Sequence, residues 1–134
     1  MNHVEHAAAL RGEQSVHYNC AQAVLVAYAD AMGMTPEQAF KLGAHLGSGM
    51  RHGSTCGAVT GALLVLGEMG YGEQEAAALL RQFRERHGSL TCAQLLTQSK
   101  ERGVARKDHC DALVLEMAGE LEQILSDGAE RNHQ

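Results

Sequence analysis

One proline, no tryptophan and an aromatic content of 4 % leave the chain short of what sheets are usually built from, and β-branched runs are few. Alanine is abundant instead and favours helices, so the expectation is an all-α fold: one domain, a bundle of about five to seven helices. Strong positive charge is also lacking. A formal net charge of −5 and an isoelectric point near 5.9 give no broad basic surface and argue against nucleic acid as a partner. The basic cluster Lys100, Arg102, Arg106 and Lys107 then reads as a solvated loop. The first residues, Met1-Asn2-His3-Val4-Glu5-His6, have neither the positive start nor the apolar run of a signal peptide, which points to a cytoplasmic protein. Apolar stretches such as Ala62 to Leu66 are far too short to cross a bilayer, so no membrane insertion is expected. No glycine-rich stretch ends in G-K-[ST] after a strand, which excludes a phosphate loop of the Walker kind. No C-x-x-C pair occurs either, and this weakens a thioredoxin-type motif and a zinc ribbon alike.

What the chain does have is four separated cysteines, Cys20, Cys56, Cys92 and Cys110. At 134 residues a hydrophobic core needs no cross-links, and cytosolic cysteines stay reduced unless they do redox or metal chemistry. Each one stands at or beside an expected helix start. Asn19 is a natural N-cap for a helix from Cys20 to Met32, with Gly33 as its stop. The glycine-rich stretch Gly47 to Ala62 delivers Cys56 to a helix running to Met69, with Ser54 or Thr55 as its cap. Thr91 caps a short piece, Cys92 to Leu96, and Asp108 caps a last helix whose apolar stripe runs through Leu113, Val114, Met117, Leu121, Ile124 and Leu125. The remaining helices are Val4 to about Gln14, with Val4, Ala7, Ala8 and Leu10 inward; one opened by Thr35-Pro36-Glu37-Gln38 and carrying Ala39, Phe40, Leu42 and Leu46; and Glu73 to His87, closed by Gly88. Ser99 to Lys107 reads as a polar connection, and residues 126–134 as a polar tail after a helical domain at 1–125. The helix after Cys56 looks the most buried, because Ala58, Gly61 and Ala62 allow close approach.

Every cysteine is also in phase with the apolar stripe of its own helix, so four sulfurs meeting at one end of the bundle is the expectation. Buried cysteine is ordinary packing at any single position; four with adjacent caps favour a shared site. His17, His52 and His109 lie shortly before Cys20, Cys56 and Cys110 and would lower thiol pKa if they approached, although surface placement is the simpler reading of each. His3 and His6, and Glu116, Glu120 and Glu122, read as solvent-facing.

Asn19-Cys20-Ala21-Gln22-Ala23-Val24, then Cys56-Gly57-Ala58-Val59-Thr60-Gly61-Ala62, then the isolated Cys92 and Cys110 resemble the C_GCAxxG_C_C family of redox-active proteins, over roughly Val4 to Leu125. The resemblance implies a helical domain whose four cysteines do redox chemistry or bind a metal centre, and a link to iron–sulfur chemistry through a related segment of split-Soret cytochromes. Three functions stay open. In the first, all four cysteines form one thiol–disulfide site that exchanges electrons with a redox partner, with Cys56 on its accessible loop as the attacking sulfur. In the second they hold an iron–sulfur cluster, ahead of zinc, with Gly53, Cys56, Gly57 and Gly61 making room around the cofactor. In the third the cysteines are core in a helical interaction module, with Met32, Met34, Met50 and Met69 as packing or interface residues and a homodimer as one outcome.

Overall fold

In the computed structural model, which describes residues 2–132, helix follows helix. In chain order they are α1 (His3–Gly12), α2 (Cys20–Ala27), α3 (Ala29–Met32), α4 (Pro36–Leu42), α5 (Gly57–Glu68), α6 (Glu73–His87), α7 (Cys92–Glu101) and α8 (Arg106–Asn132). The fold is all-α. Among the described residues the β-type pairing consists of one isolated antiparallel bridge, Thr55 with Thr91, and no helix is long and apolar enough to cross a membrane.

Local signals set the helix starts. Asn2, Asn19 and Thr35 each close a capping box, accepting from the backbone N–H three residues on while that residue's side chain returns to the cap N–H. Gly33 and Gly88 end α3 and α6 in the left-handed region. The expected helix from Cys20 to Met32 is broken at Tyr28, whose backbone (φ −102°, ψ 9°) leaves helical geometry.

The core sits where α2 crosses α5. Residues 21–27 of α2 are all buried, so α2 rather than α5 is the most enclosed helix. The reason is crossing geometry: a Cβ on Gly61 would lie 3.1 Å from the Ala21 carbonyl and 3.2 Å from Val24 Cβ, and one on Gly57 would lie 3.2 Å from the Ala21 amide. Two glycines one turn apart thus let the α5 backbone touch α2. α8 covers the other side with Leu113, Val114, Met117, Ala118 and Leu121, and the buried Tyr28 hydroxyl donates to the Ala118 carbonyl at 2.6 Å.

Several expectations need correction. α1 ends at Gly12 and leaves Ala8 exposed. α4 stops at Leu42, which is exposed, so Leu46 lies in the turns that follow. α7 is no short piece: it continues to Glu101, where Ser99 Oγ donates to the Val104 carbonyl and Gly103 (φ 75°) turns the chain. α8 starts at Arg106, placing Asp108 inside its first turn rather than at its cap, and it continues to Asn132. Gly128 there accommodates the ring of Tyr71, whose hydroxyl donates to the Ile124 carbonyl; residues 133–134 of the expected tail lie outside the described residues. His3 is not a loose terminal side chain. It stacks on Tyr28 at 4.1 Å and contacts Glu122 (2.7 Å) and Asp30 (3.2 Å). Glu116 and Glu120 likewise pair with His87 and Arg86 of α6, which makes that face of α8 a helix–helix seam.

Candidate functional site

The four cysteines arrive on four helices. Cys20 is the first residue of α2, Cys92 the first of α7, and Cys56 the N-cap of α5. Cys110 lies one turn inside α8. Side-chain caps are expected beside all four, from Asn19, Ser54 or Thr55, Thr91 and Asp108; Asn19 supplies one, α5 and α7 have none, and Asp108 lies inside α8.

Backbone pairing holds Cys56 and Cys92 side by side instead. The Cys56 N–H donates to the Leu90 carbonyl at 2.8 Å and the Cys92 N–H to the Ser54 carbonyl at 2.7 Å, flanking the Thr55–Thr91 bridge. The approach to Cys56 is a left-handed turn: Ser48, Gly49, Met50 and Arg51 have φ between 53° and 69°. For the three residues with a Cβ this costs roughly 1–2 kcal/mol each. Hydrogen bonds from Met50 N–H to Leu46 O (3.1 Å) and from Ser54 N–H to Gly49 O (2.9 Å) hold it. Gly49 itself is required, because a Cβ there would collide with the Ser54 backbone and sit 2.8 Å from Cys92 Cβ.

All four cysteines line one cavity of about 100 Å³. That volume is well below the ~300 Å³ at which organic ligand sites begin. Leu95, Leu96 and Leu113 form its apolar wall, and Arg11, His17 and Arg106 its polar mouth. Asn19 and Ser48 also border it. Asn19 both caps α2 and donates to the Gly43 carbonyl at 3.1 Å, fixing the end of α4 beside Cys20.

The sulfurs differ sharply in acidity. Cys20 neighbours Cys110 in the cavity, and the interaction between the two thiols, with burial behind it, raises the Cys20 pKa far above its ordinary range. The same interaction draws Cys110 down to about 6; burial opposes the shift, and Arg11 and Arg106 assist it. The pair thus favours the proton on Cys20 and the negative charge on Cys110, which Arg11 and Arg106 also favour. Arg11 is held firmly: its side chain is 11 % exposed, Nε donates to Asp111 at 2.6 Å and a terminal N–H donates to the Tyr18 carbonyl at 2.8 Å. Arg106 donates to Ser48 Oγ at 3.1 Å, a neutral acceptor that leaves its charge free to act on the sulfur.

Cys56 is the opposite case. It is 4 % exposed, and burial pushes its thiol up to about 11, outweighing the Ala58 and Val59 amides that pull it down. The accessible attacking sulfur expected on the glycine-rich loop is therefore not found at Cys56. Burial and the neighbouring Cys110 also raise Cys92. Of the glycines expected around a cofactor, Gly57 borders the cavity, whereas Gly53 packs on Ala93 and Gly61 on α2.

The four thiols are of the type that holds zinc or an iron–sulfur cluster, but among the described residues no three His, Cys, Asp or Glu side chains are grouped closely enough to hold one metal ion. The sequence reading of Arg106 as loop charge missed its role, although its position one helical turn before Cys110 on α8 was available as a signal. Arg11 carried no such signal. His109 is 7 % exposed and burial lowers its pKa, while His17 stands exposed at the mouth and His52 is exposed away from it.

A family described as putative redox-active protein (C_GCAxxG_C_C) matches residues 18–124. No curated protein and no solved structure matches the chain.

Proposed function

The chain belongs to the C_GCAxxG_C_C family, and we propose that it works as a dithiol–disulfide redox protein in which Cys110 is the nucleophile and Cys20 the resolving thiol. One observation carries this reading: Cys20 and Cys110 border the same cavity, and Cys110 also borders an outer groove beside Arg11 and Arg106, where the interaction with Cys20 lowers its pKa. A thiolate is the form that attacks a disulfide, and at a pKa near ambient pH it is both abundant and still nucleophilic. Cys110 attacks one sulfur of an oxidised partner and forms a mixed disulfide, releasing one thiolate. Cys20 then loses its proton and attacks Cys110, forming the Cys20–Cys110 disulfide and releasing the second thiolate, so that two electrons leave the protein. Cys56 and Cys92, with raised pKa values, stay reduced in this step.

The test is to treat reduced protein, purified without air, with the neutral 2,2′-dithiodipyridine at one equivalent. Two pyridinethiones per protein and a peptide pair joined through Cys20 and Cys110 are expected. A stable mixed disulfide at Cys110 alone, or a link elsewhere, would overturn the assignment. So would stoichiometric iron and sulfide bound through these thiols in the protein as purified.

A further inference from the structure

Outside the four-cysteine cavity lies a second and larger depression of about 390 Å³. Cys110 borders both, as do Arg11, His17 and Arg106, and Lys107 completes the outer rim. Cys110 is therefore the sulfur through which the inner site meets this groove. The outer volume falls within the ~300–1,000 Å³ typical of small-molecule sites, which the inner cavity does not reach.

The charge of the groove runs against that of the chain. Arg11, Arg106 and Lys107 supply three cations. Asp111 offsets part of this through Arg11 (2.6 Å) and Lys107 (2.7 Å). Glu13 also borders the groove, and its carboxylate, which accepts from the Ser15 N–H and hydroxyl, stays ionised and offsets a second cation, so the excess is that of Arg106. Among the described residues Arg106 has no carboxylate partner, and its contact to Ser48 is neutral. A local positive excess on a chain of formal charge −5 gathers anions at that place. Guanidinium and ammonium groups at such a rim suit carboxylates in particular.

We propose that this groove binds a low-molecular-weight disulfide bearing carboxylate groups and presents its sulfur–sulfur bond to Cys110. The inference rests on the dithiol reading above and adds its substrate class. Arg106 and Lys107 take the substrate carboxylates, and the thiolate attacks the nearer sulfur. One carboxylate-bearing thiolate leaves through the open groove, and the second leaves when Cys20 displaces it from Cys110. The net change is one disulfide reduced to two thiols and the protein dithiol oxidised to the Cys20–Cys110 disulfide.

The experiment compares second-order rates of the reduced protein at low ionic strength with three disulfides: the dianion 5,5′-dithiobis(2-nitrobenzoate), neutral 2,2′-dithiodipyridine and the cation cystamine. Each rate is divided by that of free mercaptoethanol with the same probe. The normalised rate should be about tenfold higher for the dianion than for the neutral probe, and lower for the cation than for either. In Lys107→Gln the dianion-to-neutral ratio should fall about threefold, and in the double variant with Arg106→Gln about tenfold, with a return toward the same ratio for wild type in high salt. Lys107 is largely exposed, so the single variant keeps its fold. Equal normalised rates for all three probes, or a ratio insensitive to both variants, overturn the substrate class while the dithiol assignment stands. If the neutral probe fails to join Cys20 to Cys110, the dithiol reading itself falls.

Discussion

Cys20 with Cys110 and Cys56 with Cys92 are two pairs of the same residue at comparable places, each at or near a helix start and all bordering one cavity. They nevertheless carry opposite chemistry. Cys56 has the better helix terminus, sitting at the N-cap with the Ala58 and Val59 amides pulling its pKa down, yet burial wins and its thiol ends near 11. Cys110 is a full turn inside α8, past the strongest part of the helix dipole, and the interaction with Cys20, helped by Arg11 and Arg106 and opposed by burial, draws it down to about 6. Helix position is thus the weaker influence. A directed donor and nearby cations outweigh it, and desolvation can cancel it. The architecture differs in the same sense: the Cys56–Cys92 side is pinned by backbone hydrogen bonds across the Thr55–Thr91 bridge, whereas the Cys20–Cys110 side is held by side chains and opens on a basic groove.

Reactivity with iodoacetamide at pH 7 measures that contrast directly. Cys110→Ser should have the largest effect, because a thiol of pKa near 6 is mostly thiolate at pH 7 and one of pKa near 9 is about 1 % thiolate; the fast phase should drop by about 100-fold. If the fast phase persists and maps to Cys56, the asymmetry between the pairs is wrong. In wild type the fast phase should lose rate as pH falls through about 6, because protonation removes the attacking form.

Cys20 should come next. Cys20→Ala removes the donor to Cys110, and a hydrogen bond to a charged group is worth about 1.5–3 kcal/mol, so the Cys110 rate at pH 7 should fall about tenfold and its midpoint move up. Cys20→Ser keeps a donor and should retain most of the rate while losing the disulfide. Equal rates in the Ala and Ser variants would assign the shift to the arginines instead.

Those arginines mark where the sequence stopped being informative. The all-α class, the capped starts of α2 and α4 and the span of α6 were legible, because caps, glycine stops and helical periodicity are encoded within a few residues. Convergence of four sulfurs on one cavity followed from their phase on those helices. The acidity order was not legible: it depends on Arg11 reaching across from α1, nearly a hundred residues from Cys110 in the chain, and on the depth of Cys56, which only packing decides. The glycine-rich stretch misled for a related reason. Glycine signals backbone freedom, and here that freedom is used to press Gly57 and Gly61 against α2 and to make the left-handed turn at Gly49, which buries Cys56 rather than presenting it. Asp108 looked like a cap because its residue type suits one, but Arg106 and Lys107 form the first turn before it.

Arg106 should rank third in its effect on Cys110. It is exposed and its field is screened by water, so Arg106→Gln should slow alkylation of Cys110 by the neutral reagent about threefold, and added salt should shrink the difference. An effect as large as that of Cys20→Ala would mean that charge, rather than the thiol donor, dominates the site.

The smallest effect on Cys110 should come from Gly49→Ala, and this variant separates the two halves. A Cβ at φ 61° carries the left-handed penalty of about 1–2 kcal/mol, and here it also meets the Ser54 backbone and lies 2.8 Å from Cys92 Cβ. The turn must shift, loosening the Ser54-to-Cys92 and Leu90-to-Cys56 hydrogen bonds. Global stability by denaturant should fall by at least about 2 kcal/mol, and amide exchange at Cys56 and Cys92 should quicken. Cys110 draws its partners from α1, α2 and α8, and the turn reaches them through the hydrogen bond from Arg106 to Ser48; because Arg106 acts on the sulfur less than Cys20 does, the alkylation rate of Cys110 under folding conditions should change less than twofold. If it falls together with the exchange protection of Cys56, the two pairs form one coupled unit, and the division of labour between a reactive half and a structural half is lost.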